Sequence, residues 1–133
     1  MKYFFILFIS FLSILAFGNE QRSVYIIEPL DNAVLKSPVI IKFGLSGMGV
    51  APAGVDRKNT GHHHLLLDLE ALPDVTKSIP SDGNHIHFGG GQTETSIVLL
   101  PGTHTLQLIM GDKFHIPHKD PLISDKISIT VIE

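Results

Sequence analysis

Seven of the eight histidines fall in three short stretches, GHHHLLLD at 61–68, NHIHFGGGQTE at 84–94 and GDKFHIPHKD at 111–120. Neutral imidazole is the commonest protein metal ligand, so histidines clustered in this way point first to ligation of a transition metal. The chain contains no cysteine, which excludes thiolate sites and leaves imidazole nitrogen, carboxylate oxygen and the thioethers of Met48 and Met110. No Met-rich motif surrounds those two methionines, and they read as packing residues. Alternate residues of a strand project to one side about 6–7 Å apart, so His62 with His64, and His85 with His87, can each turn two rings toward one ion. His63, His115 and His118 are further candidate ligands. Glu94 and Asp112 are candidates to complete the shell or to accept an imidazole N–H behind it. Copper and zinc suit such a set, copper because affinity for nitrogen sites peaks there and zinc because a carboxylate can close a tetrahedron. Protons compete for the same nitrogens, so affinity is expected to fall as pH drops through about 6.5.

The elements that must position these residues are strands. After residue 18 the chain consists of short runs rich in Val, Ile, Leu and Phe, punctuated by Gly, Pro, Asn and Asp, with no sustained helical periodicity. Seven strands are expected, over 24–28, 39–46, 63–69, 85–88, 94–100, 104–111 and 126–132. Seven short strands in about a hundred residues predict an all-β fold, an immunoglobulin-like antiparallel β-sandwich. Alternation assigns Val39, Ile41, Phe43 and Leu45 to the core, with Leu65, Leu67 and Leu69, Ile97 and Leu99, Leu106, Leu108 and Met110, and Ile127, Ile129 and Val131. His62, His64, His85 and His87 then point away from the core face of their strands, whereas His63 and His104 share the core parity.

If each strand reverses the last, the second-to-third, fourth-to-fifth and sixth-to-seventh connections lie at one end. All three histidine stretches then converge on that pole, and His104, read as a structural histidine, falls at the other. The inference requires that no strand intervene between Ala71 and Asn84. The connections Gly47 to Gly61 and Gly111 to Asp125 are long for so small a sandwich, which makes both candidates for lining a site.

Residues 1–18 read as a secretory signal: Lys2 is followed by an almost wholly apolar run from Tyr3 to Phe17 and by the small residues Ala16 and Gly18. The expectation is a single domain over 19–133, exported to a periplasm or secreted, with no stable membrane insertion once the signal is removed. That part carries nine Lys and Arg against thirteen Asp and Glu and no basic run, which makes nucleic acid a poor partner. The sequence names no protein partner.

The segments FGLSGMGVAPAG (43–54), NTGHHHLLLD (59–68), HIHFGGGQTE (85–94), PGTHTLQLIMGD (101–112) and HIPH (115–118) resemble, in the same order, the small exported bacterial domains grouped as DUF4399, over about 29–132. The resemblance implies that the glycine-rich loop 43–54 belongs with the histidine stretches as one signature, shaped to cover the histidine pole. It implies no activity.

Three functional classes follow. Metal carriage or sequestration leads. A metalloenzyme needs the same pole with one open coordination position; no G-x-S-x-G elbow, H-E-x-x-H motif or cysteine nucleophile is present, which favours binding over catalysis. A metal-free ligand- or protein-binding module is the third.

Overall fold

A computed structural model describes residues 21–133; the segment read as a signal lies outside them. The strands are β1 (Ser23–Glu28), β2 (Val34–Lys36), β3 (Val39–Ser46), β4 (Gly49–Val50), β5 (Thr60–Leu67), β6 (His85–His87), β7 (Glu94–Ile97), β8 (Gly102–Gly111) and β9 (Ile127–Ile132). All seven expected strands are present, and β2 and β4 are short additions. One sheet has the order β1-β3-β7 and the other β2-β9-β8-β5-β4, with β6 also pairing β5. The immunoglobulin-like β-sandwich expected from the strand count is the architecture observed. Among the described residues, no helix is long and apolar enough to cross a membrane.

Between the sheets, Val39, Ile41 and Phe43 meet Leu65, Leu106, Leu108, Met110, Ile129 and Val131, as alternation assigned them. Leu69 is a correction. Asp68 takes a left-handed φ of 55°, and the strand ends before it. Leu69 therefore packs in a second apolar cluster, with Leu66, Ile79, Ile109, Val75 and Ile123.

That second cluster lies on the face of β5 and β8 turned away from the core. Residues 68–84 contain no strand and fold across this face. The chain leaving β8 returns beside it, with isolated bridges Ile109–Ile123 and Gly111–Pro117. Every residue of β5 from Gly61 to Leu66 is consequently buried. A strand covered on both faces needs no polar alternation, which is why HHHLLL tolerates three leucines in a row. It also means that His62 and His64, although turned from the core, are not turned to water.

Truncating the outer cluster should therefore cost as much as truncating the core. Leu66→Ala is expected to destabilise the domain by about 2–5 kcal/mol in equilibrium urea unfolding; a change within about 0.5 kcal/mol, as at an exposed site, would show that this face is not packed.

Candidate metal centre

His62 and His64 lie two apart on β5, so their rings leave the same face of the strand. β6 pairs with β5 in antiparallel register that sets His87 directly opposite His64, which brings a third ring onto that face. The three Nε2 atoms converge: His62 Nε2 is 3.0 Å from His64 Nε2 and 3.2 Å from His87 Nε2. The three histidines offer ligand atoms that all lie within 4.8 Å of one another. Two nitrogens bound tetrahedrally to one zinc ion are about 3.3 Å apart, given Zn–N bonds of about 2.0–2.1 Å. The observed spacing is close to that value.

His115 joins them from the loop after β8. Its ring centroid is 4.6 Å from that of His87, 5.1 Å from His62 and 5.9 Å from His64. The remaining centroid separations are 4.8 Å for His62–His64 and 4.9 Å for both His62–His87 and His64–His87. The expected convergence of the three histidine stretches is thus observed at the end of the sandwich where β5 begins and β8 finishes, with the rings on the outer face of the sheet and those of His62 and His64 buried there instead of open to solvent.

Small residues make room for these rings. A Cβ on Gly89 would fall 2.6 Å from His87 Nε2, and one on Gly111 would fall 2.8 Å from His64 Nε2. Neither glycine takes a positive φ; both are needed for close approach. The loop following β3 then ties the stretches together through its backbone. Ala51 N–H donates to the Gly61 carbonyl at 2.8 Å, Ala53 N–H to Gly89 at 2.8 Å and Gly54 N–H to Lys113 at 3.0 Å. One donor thus goes to each histidine stretch, which gives a physical reason for a glycine-rich loop to accompany them.

The other candidates do not join the cluster. His63 points into the core, its ring 5.1 Å from that of Phe43. His85 pairs with Leu66, farther along the face, and its Nδ1 is engaged by Asp82 Oδ1 at 2.9 Å. His118 Nε2–H donates to the Thr60 carbonyl at 3.0 Å, pinning the loop to the start of β5. Glu94 is exposed on β7 in the opposite sheet, across from Lys42, because the glycine turn carries the chain over to β3, where Phe43 N–H donates to the Thr93 carbonyl at 2.8 Å. Asp112 lies near enough to favour a charged His62, but its Oδ1 accepts the N–H groups of Phe114 at 2.8 Å and Ile116 at 2.9 Å. It organises the loop that carries His115. His104 is structural as expected, with Nδ1 against Asp68 Oδ2 and Nε2 against the Leu100 carbonyl, both at 2.8 Å.

Residues 41–132 match the family described as "Domain of unknown function (DUF4399)". The chain belongs to the DUF4399 family. The match takes in the loop after β3 and every histidine, so the cluster lies wholly within the DUF4399 domain. No curated protein matches this DUF4399 chain. A solved structure titled "Structures of Clostridium thermocellum CbhA fibronectin(III)-like modules" is similar at 15% identity and a TM-score of 0.38, over 82% of this chain and 93% of that one.

Burial sets the protonation of the centre. Desolvation, reinforced by the neighbouring rings, pushes His62 down to about 4 and His64 down to about 3. His87 is also lowered, first by desolvation and then by His115. Burial takes His63 down to about 4; the Gln92 backbone opposes the shift, although neither ring nitrogen completes a hydrogen bond. His62 and His64 are therefore neutral well below the pH of about 6.5 at which free imidazole titrates, and His87 is shifted in the same direction. The expected loss of metal affinity through that pH is accordingly displaced downward for His62, His64 and His87.

Stability carries the same signature. Between pH 6.5 and about 4, the unfolded chain binds protons at His62, His63 and His64 that the folded chain does not, so the folded state loses stability as pH falls. Each histidine contributes a slope of at most about 1.4 kcal/mol per pH unit. His104 works in the opposite sense, because Asp68 raises it and its stabilisation is present below the free value and lost as pH rises through the folded one. Below pH 6.5 the His104 contribution is already complete, so the three buried groups predict a urea midpoint for the metal-free protein that drops steadily from pH 6.5 to 4.5. A midpoint flat over that interval would contradict the burial of these rings.

Proposed function

We propose that this domain binds one divalent transition-metal ion, zinc or copper, through the Nε2 atoms of His62, His64 and His87. Its role is carriage or sequestration outside the cytoplasm, after loss of residues 1–18 from a single domain spanning 19–133. The observation that carries this reading is the convergence of three Nε2 atoms at His62 in a buried position. A neutral imidazole has one N–H and one lone pair. If His64 and His87 both donate to His62 Nε2, two donors share one lone pair, and the N–H of His62 moves to a buried Nδ1 with no acceptor. Hydrogen bonding among the rings therefore leaves a buried donor unsatisfied, at a cost of about 1–3 kcal/mol. One cation accepts all three Nε2 lone pairs at once.

The chemistry of the surroundings supports the same ion classes. Met110 is buried in the core and Met48 packs against it, and no carboxylate belongs to the group of converging ligand atoms. The ligand set is imidazole alone, suited to zinc and copper rather than to magnesium or calcium. Nδ1 of His62 and of His64 lacks a hydrogen-bond partner, so packing and not a hydrogen bond to a carboxylate orients these two rings.

Protein purified without a histidine tag or added chelator, then stripped and titrated, tests the reading. About one equivalent of Zn²⁺ or Cu²⁺ should bind and raise stability by about 2.7 kcal/mol at a hundredfold excess over Kd. His62→Ala with His64→Ala should abolish uptake, and Gly89→Ala, which displaces the His87 ring, should weaken it by about 10–100-fold. No stoichiometric uptake, or uptake unchanged by the double variant, would refute it.

A further inference from the structure

The metal reading rests on three rings, yet the geometry includes a fourth. The six centroid separations among His62, His64, His87 and His115 all lie between 4.6 and 5.9 Å. Four points at nearly equal mutual distance can only be the corners of a tetrahedron. Four imidazoles bound to one ion through nitrogens at about 2.0–2.1 Å place their ring centres about 5.2 Å apart, in the middle of the observed range.

We propose that His115 is the fourth ligand and that the four imidazoles form a closed tetrahedral shell, a site that holds its ion without offering a coordination position to substrate. The proposal depends on the three-histidine reading and deepens it. Sites that only hold zinc are closed by four protein ligands, whereas catalytic sites leave one position to water or substrate. The fourth ring decides between carriage and catalysis at the same pole.

The loop is built to present His115. Its φ is 65°, an uncommon backbone state for a residue with a side chain. Its N–H donates to the Asp112 carbonyl at 2.9 Å and its own carbonyl accepts the Ile79 N–H at 2.8 Å. Asp112 closes the turn from within through the Phe114 and Ile116 amides. Residue 115 is thus held from both sides, with its ring edge-on to those of His62 and His64 at interplanar angles of 80° and 83°. With Asp112 Oδ1 committed to the loop and Glu94 in the other sheet, His115 is the further ring packed against all three; its nitrogens stand outside the group of converging ligand atoms, so closing the shell takes a rotation of this ring toward the ion.

Co²⁺ replaces zinc in such shells and reports coordination number by its visible absorption, which is intense in four-coordinate sites and weak in six-coordinate ones. The protein loaded with one equivalent of Co²⁺ should show intense bands that a large excess of azide leaves unchanged. His115→Gly keeps the left-handed backbone accessible while removing the ring. This variant should still bind Co²⁺, at least about tenfold more weakly, and its bands should now move with azide. His115→Asn, which also tolerates this φ, guards against a folding defect in the glycine variant and should behave likewise. Wild-type bands that shift with azide, or variants whose spectra match the wild type, would overturn the fourth ligand and leave the three-histidine reading standing. Failure of the wild type to take up Co²⁺ or Zn²⁺ at all would overturn both.

Discussion

Three consecutive histidines occupy a strand that is buried on both of its faces, and the rest of the structure is arranged around that constraint. Imidazole is polar, and removing it from water is costly unless its nitrogens find partners. His63 on the core face lies against Phe43 with both nitrogens unpartnered. His62 and His64 on the outer face find hydrogen-bond contacts only with other histidines. A sequence gains nothing in stability from this choice, since leucine would fill the same space. Retention of buried polar groups that weaken the fold is more economically explained by what the nitrogens do together than by packing.

The cover over those rings explains the less ordinary features of the chain. Residues 68–84 and the connection after β8 clasp one another, with Ile79 N–H on the His115 carbonyl. Beneath them the outer cluster of Leu66, Ile79 and Ile109 supplies the apolar contact that keeps the clasp closed. The loop after β3 adds a donor to each histidine stretch. Gly89 and Gly111 are the two points where any side chain would strike a ring nitrogen. The cluster therefore depends on three connections at once, and a disturbance in any one of them reaches the histidines through backbone hydrogen bonds.

Much of this was legible from residue type and period. The seven main strands, the core faces of β3, β8 and β9, the structural role of His104 and the meeting of three histidine stretches all follow from alternation and strand reversal. What was not legible depends on the cover. Nothing local in residues 68–84 announces that they fold across a sheet, so the burial of the outer face was not foreseen and Leu69 was expected in the core. Glu94 looked close to the pole because it follows the glycine turn, but that turn is the crossing point to the other sheet. Asp112 looked like a ligand because acidic residues near histidines often are; its position two and four residues before the Phe114 and Ile116 amides was the available signal that it would cap a turn instead. His85 and His118 share the spacing of true partners of the cluster but are taken up by Asp82 and the Thr60 carbonyl, contacts that only the folded chain specifies.

The central claim is that Nε2 of His62, His64 and His87 act on one ion. Long-range ¹H–¹⁵N correlation spectra of the imidazole rings, recorded on ¹⁵N-labelled protein before and after one equivalent of Zn²⁺, test it most directly, because they distinguish the two nitrogens of every histidine. The account predicts that Nε2 of His62, His64 and His87 moves to the metal-bound range while the nitrogens of His63, His85, His104 and His118 keep their positions. Ion-induced shifts at His85 or His118 in place of these three, or no shift at any ring, would contradict it.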